Sequence, residues 1–181
     1  MPQYVAFLRG INVGGKHLVR MDALRALFAS LGLQNVSTYI QSGNVIFEAA
    51  AKNPAALTKT IEQALLNELG YPVSVVIRTR AELAAIIQLD PFKKTKGEGT
   101  PHVTFLSGEL KRKIKTPLWS PANDCAIVHV GPREIFTIGY RLPNGRAGNF
   151  MALIEKEAGK SLTTRNWNTL TKIVELMKTE G

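Results

Sequence analysis

Apolar positions along the chain switch between two spacings. Tyr4 to Arg9 is a β-branched and aromatic run that predicts a strand. Met21, Leu24, Leu27, Phe28 and Leu31 then recur at helical spacing and stop at Gly32, which predicts a helix. Val36 to Ile40 and Val45 to Phe47 flank Gln41-Ser42-Gly43-Asn44, whose glycine and asparagine suit a hairpin turn. Leu57, Ile61, Leu65, Leu66 and Leu69 form a second helical stripe closed by Gly70, and Val73 to Ile77 reads as a fourth strand. The order βαββαβ is that of a ferredoxin-like unit.

The second half repeats the theme. Val103-Thr104-Phe105-Leu106-Ser107-Gly108 echoes Val5-Ala6-Phe7-Leu8-Arg9-Gly10 at an offset of 98. Ile135-Phe136 echoes Ile46-Phe47, and Glu157-Ala158-Gly159 echoes Glu68-Leu69-Gly70, both at 89. The expected fold class is therefore α+β, a tandem duplication of a ferredoxin-like βαββαβ unit. The second copy is expected to be modified at its C-terminal end, where Thr163-Thr164-Arg165-Asn166-Trp167-Asn168-Thr169 opens a helix instead of a fourth strand. The division is 1–79 for the first half, 80–100 for a connecting helix (Arg80 to Leu89) and loop, and 101–181 for the second half, or one compact unit containing both.

Segments present in one copy only are freer to serve a ligand than positions that both cores need. Copy one inserts Ile11-Asn12-Val13-Gly14-Gly15-Lys16-His17 after its first strand. With Gly10 this fits the first seven positions of a P-loop, G-x-x-x-x-G-K. His17 stands where that motif needs Ser or Thr for magnesium, the helix begins late, near Met21, and βαββαβ is the wrong topology. A P-loop is not expected. What survives is a glycine loop that can turn its amides toward an anion, ringed by Arg9, Lys16, His17 and Arg20. The alternative is a tight connection whose glycines only supply positive φ.

In the C-terminal segment, Trp167, Leu170, Val174 and Met177 form an apolar helical stripe, so Trp167 reads as core, with Thr163 or Thr164 as N-cap. Arg165, Asn166 and Asn168 crowd that helix start, an end that favours anions. The candidate ligand set is Arg9, Asn12, Gly14, Gly15, Lys16, His17, Arg165, Asn166 and Asn168. Asn144-Gly145-Arg146-Ala147-Gly148-Asn149 reads as a turn before a helix with stripe Phe150, Leu153 and Ile154.

Charge sharpens this picture. The formal net charge is +9, which favours nucleic acid, nucleotides or phosphorylated metabolites as partners, although solvated basic faces are common. Two clusters stand out: Lys93-Lys94-Thr95-Lys96, read as a mobile loop, and Lys111-Arg112-Lys113 with Lys115. The single Cys125 excludes an internal disulfide and reads as a buried thiol. The three histidines lie far apart without metal-ligand spacing, no close carboxylate pair suggests acid–base work, and no metal or cofactor is expected. With no basic-then-apolar leader and no membrane-length apolar window, a soluble cytoplasmic protein is expected.

Three motifs together resemble a family of bacterial proteins catalogued as domain of unknown function 1697: Phe7-Leu8-Arg9-Gly10-Ile11-Asn12-Val13-Gly14-Gly15-Lys16, Tyr39-Ile40-Gln41-Ser42-Gly43-Asn44-Val45-Ile46-Phe47 and Thr164-Arg165-Asn166-Trp167-Asn168-Thr169. The resemblance spans nearly the whole chain. It implies two ferredoxin-like repeats and carries over no activity and no catalytic residues. Three functions stay open: binding of a phosphate-bearing ligand such as RNA or a nucleotide, an enzyme acting on a small anionic metabolite, and a scaffold without catalysis. In the first, Phe7 and Phe47 fall on strands suited to base stacking. In the second, Arg9, Lys16 and Arg165 clamp the anion beside His17, in one shared hollow.

Overall fold

A computed structural model describes residues 1–50, 53–95, 99–143, 145 and 148–177. They form two antiparallel sheets and five α-helices, in two units: Met1–Ala85 with the segment from Lys172 onward, and Ile86–Thr171. The tail joins the first unit, where the Arg80 Nε donates to the Met177 carbonyl at 3.3 Å. No described helix is long and apolar enough to cross a membrane.

In the first unit β1 (Gln3–Leu8), α1 (Met21–Ser30), β2 (Gln34–Tyr39), β3 (Asn44–Glu48), α2 (Pro54–Leu69) and β4 (Val75–Thr79) follow in that order, and the sheet runs β2-β3-β1-β4. Helix α3 (Arg80–Leu89) starts directly after β4. Strand alternation puts Tyr4, Ala6, Leu8, Val45, Phe47, Val75 and Ile77 on one face. Leu24 and Phe28 of α1 and Leu57, Ile61 and Leu65 of α2 cover it. The reverse face is closed too: Val5, Phe7, Ile46 and Val76 are all buried. That explains why these strands read as continuous apolar runs. Helix α2 begins where the Asn53 side chain accepts from the Ala55 amide ahead of Pro54, and ends at Gly70 with φ 77°.

The second unit holds β5 (Thr100–Leu106), β6 (Leu118–Trp119), β7 (Cys125–Val130), β8 (Glu134–Gly139), α4 (Phe150–Ala158) and β9 (Leu162–Asn166), with sheet order β6-β7-β8-β5-β9. Helix α5 (Trp167–Leu176) follows β9. Two expectations are corrected. The C-terminal end keeps its strand: Leu162 to Asn166 pairs antiparallel with β5, Val103 opposite Arg165, because Thr163 and Thr164 are β-branched and Leu162 docks under α4. The N-cap role given to Thr163 or Thr164 therefore falls away. The hairpin echo is also out by one. Val5 faces Ile46 in the first sheet and Val103 faces Phe136 in the second, so Phe136 occupies the place of Ile46, not of Phe47. A one-residue slip exchanges the two faces, and identity alone could not see it.

Two smaller expectations also shift. Lys93–Thr95 forms a 3-10 turn rather than open loop, while Lys96 and Gly97 lie outside the described residues, as do Asn144, Arg146 and Ala147 of the glycine turn. Between β5 and β7, where the first unit has α1, the chain runs without helix and lays down only the short edge strand β6. Cys125 is fully buried, and burial pushes its thiol pKa up.

Candidate functional site

The segment from Arg9 to Arg20 folds as a small hairpin standing on the end of β1. Its base is pinned by backbone bonds from the Leu8 amide to the Gly43 carbonyl (2.8 Å) and from the Arg9 amide to the Ser74 carbonyl (2.9 Å). Ile11, 1% exposed, plugs it into the core. Asn12 then acts as a staple. Its Nδ2 donates to the carbonyls of Val19 (3.0 Å) and Gln41 (2.8 Å), and its Oδ1 accepts from the Val19 amide (2.7 Å). Asn12 has φ 54°, a left-handed conformation that asparagine tolerates better than most residues. This side chain serves the loop's shape.

The tip is a turn. The Lys16 amide donates to the Val13 carbonyl (3.1 Å), the Asn12 amide to the His17 carbonyl (3.1 Å), and Gly14 and Gly15 both have positive φ (59° and 73°). Left-handed φ at both central positions is the signature of a type I′ hairpin turn. Lys16 thus sits on a hairpin tip, five residues before α1, and not at a helix start as in a P-loop. Gly14, Gly15, Lys16 and His17 are all exposed, and among the described residues the amides of Gly14 and Gly15 donate to no acceptor. The His17 ring packs against Tyr71 with centroids 4.3 Å apart. Arg20 is committed locally to Asp22, through Nε–Oδ1 (3.1 Å) and a 2.6 Å bond to Oδ2. That hydrogen-bonded pair lowers the Asp22 pKa and raises the Arg20 pKa.

The remaining candidates gather in the second unit, at the β9–α5 junction. Arg165 is 8% exposed and donates from one nitrogen to the Thr163 Oγ1 (2.9 Å) and the Thr164 carbonyl (2.8 Å). Burial pushes its pKa down to about 10. Asn166 supplies the cap: its Oδ1 accepts from the Asn168 amide at 2.9 Å, leaving Asn168 exposed on the first turn. Trp167, half-buried, meets Phe92 and Phe136 edge-on at 5.0 and 6.2 Å. So the structure brings Arg9, Asn12, Gly14, Gly15, Lys16 and His17 onto one loop of the first unit, and Arg165, Asn166 and Asn168 onto one junction of the second. Phe7 and Phe47, both 0% exposed, are closed to base stacking.

Trp119 is a residue that sequence reasoning missed. This residue ends the edge strand β6 with 45% of its surface exposed, and its ring stacks on Tyr140 at 5.6 Å and 20°. The available signal was its place just after the basic run Lys111 to Lys115. Among the described residues no group of three potential metal-ligating His, Cys, Asp or Glu side chains forms.

No curated protein matches the chain significantly. Among solved structures, the chain is similar to a conserved bacterial protein from Streptococcus pneumoniae, 23% identical, with a TM-score of 0.72, over 98% of this chain and 99% of that one. At this identity the likeness is one of fold. The family model described as protein of unknown function, DUF1697, matches residues 1–136, carrying two of the three motifs above, and the chain belongs to that family.

Proposed function

We propose that the protein binds a phosphate-bearing ligand, a nucleotide or RNA, at the Gly10–His17 loop. The observation that carries this is the loop's division of labour. Asn12 and Ile11 hold its base, while the Gly14 and Gly15 amides and the Lys16 ammonium stay at the solvent-facing tip. Pre-set amides beside a cation suit an oxyanion, since no backbone must reorganise on binding. The net charge of +9 adds long-range attraction. We take the compartment to be the cytoplasm, where such ligands are abundant.

We also read the two units as tandem ferredoxin-like copies. Their strands share the orders β2-β3-β1-β4 and β7-β8-β5-β9, and each fourth strand carries a buried arginine opposite a valine of the first, Arg78 on Val5 and Arg165 on Val103. An enzyme clamping its substrate with Arg165 has weaker support, because that guanidinium is spent on Thr163 and Thr164.

The test is a titration of the isotope-labelled chain with inorganic phosphate, then with a short oligouridylate, followed by backbone amide shifts. Saturable shifts centred on Gly14, Gly15 and Lys16, lost in Lys16→Ala, support the proposal. No shift at Gly14, Gly15 and Lys16 at low salt overturns it, whatever happens elsewhere on the chain.

A further inference from the structure

The second unit carries a separate surface that the loop does not use. Trp119 and Tyr140 stack nearly parallel, and the tryptophan is 45% exposed on the outermost strand of its sheet. Its pairing shows why the ring is outside. Leu118 lies opposite Ile127 and packs with the α4 core, so Trp119, opposite Ala126, must point to the other face at the sheet's rim. An exposed tryptophan braced by a second ring is a pre-ordered platform with an open π-face.

The chain leading to it is cationic. Lys111, Arg112, Lys113 and Lys115 are all exposed, against the single acid Glu109 in the same connection. Arg112 is paired with Glu157, which leaves the three lysines as the surplus. Lys115 is four residues from Trp119, so its Cα lies within about 14 Å even if the chain is fully extended. Exposed Arg141 follows Tyr140 directly. The basic run and β6 lie between β5 and β7, whereas Tyr140 and Arg141 follow β8.

We propose that Trp119 and Tyr140, with Lys111, Lys113 and Lys115, form a site for single-stranded RNA. A base stacks on Trp119 while the lysines track the phosphates. Stacking on an aromatic face is tolerant of sequence, and release of counterions makes such binding salt-dependent. The site draws no residue from the Gly10–His17 loop.

Trp119 is one of two tryptophans, the other being Trp167 in the aromatic cluster, so fluorescence can report on it in the full chain. Titration with a short single-stranded oligouridylate at low salt is expected to quench emission saturably, in the parent and in a Trp167→Phe variant. Followed by the anisotropy of a dye-labelled oligouridylate, Trp119→Ala should weaken binding by about 5- to 150-fold, with Trp119→Phe retaining most of it. Changing Lys111 and Lys113 to Ala should flatten the dependence of affinity on salt. The amide shifts of Gly14, Gly15 and Lys16 report on the loop independently of Trp119 emission, which separates this site from the loop. Absence of quenching, or equal affinity in the parent and the folded Trp119→Ala variant, overturns the proposal. So does quenching that tracks self-association without RNA, which would make the surface a contact between copies.

Discussion

Removing the Asn12 side chain tests whether the loop is held by its staple. Asn12→Ala deletes three hydrogen bonds, to the carbonyls of Val19 and Gln41 and from the Val19 amide. Each contributes about 0.5–1.5 kcal/mol net. The Gln41 bond is exposed and belongs at the low end. Alanine must also adopt φ near 54°, which costs about 1 kcal/mol more than for asparagine. The expected loss is about 2–4 kcal/mol. Asn12→Asp discriminates causes. Aspartate keeps the size, the tolerance of positive φ and the acceptor for the Val19 amide. It loses both donors and turns lone pairs toward two carbonyls, so its cost should be no smaller. Urea unfolding followed by circular dichroism gives both values from the midpoint shift at constant slope. In parallel, the Lys16 amide should exchange faster in either variant. An Asp variant within about 0.5 kcal/mol of the parent would refute the staple, since only backbone shape would then matter.

Further outcomes follow from the same geometry. Gly43 has φ 77°, and an added Cβ would lie 2.8 Å from the Ile11 Cδ1 and 2.9 Å from the Leu8 Cβ. Gly43→Ala should therefore cost about 2–4 kcal/mol in melting experiments and loosen the loop's apolar plug; an unchanged melting temperature would contradict the close approach. Phe47→Leu should lower stability by about 1 kcal/mol while leaving oligonucleotide affinity unchanged, and a matching loss of affinity would restore the stacking role on the first sheet. Arg165 titrates at about 10 when folded and higher when unfolded, so the unfolded chain binds more protons above that pH. Compared with Arg165→Met, the parent should gain relative stability as pH rises through about 10, and a pH-independent difference would refute the desolvation of this guanidinium.

By itself the sequence determined the elements whose periodicity is local. The stripes Met21 to Leu31 and Leu57 to Leu69, the turn at Gln41–Asn44 and the stop at Gly70 all stand close to where the spacing predicts them. It also marked the Gly10–Lys16 stretch as a turn-rich basic loop, because glycine and lysine declare themselves without partners. Tertiary structure decided what depends on pairing. Thr163 to Asn166 carries polar residues that suit a helix entrance, yet the neighbouring strand β5 draws it into the sheet, burying Arg165 and moving the cap to Asn166. The echo between Phe136 and Phe47 dissolved for the same reason, since only the ladder fixes which face a strand residue takes. Trp119 became a candidate only when the strand order placed β6 at the edge. Spacing along a chain encodes helices and turns, whereas exposure in a sheet is set by neighbours far away in sequence.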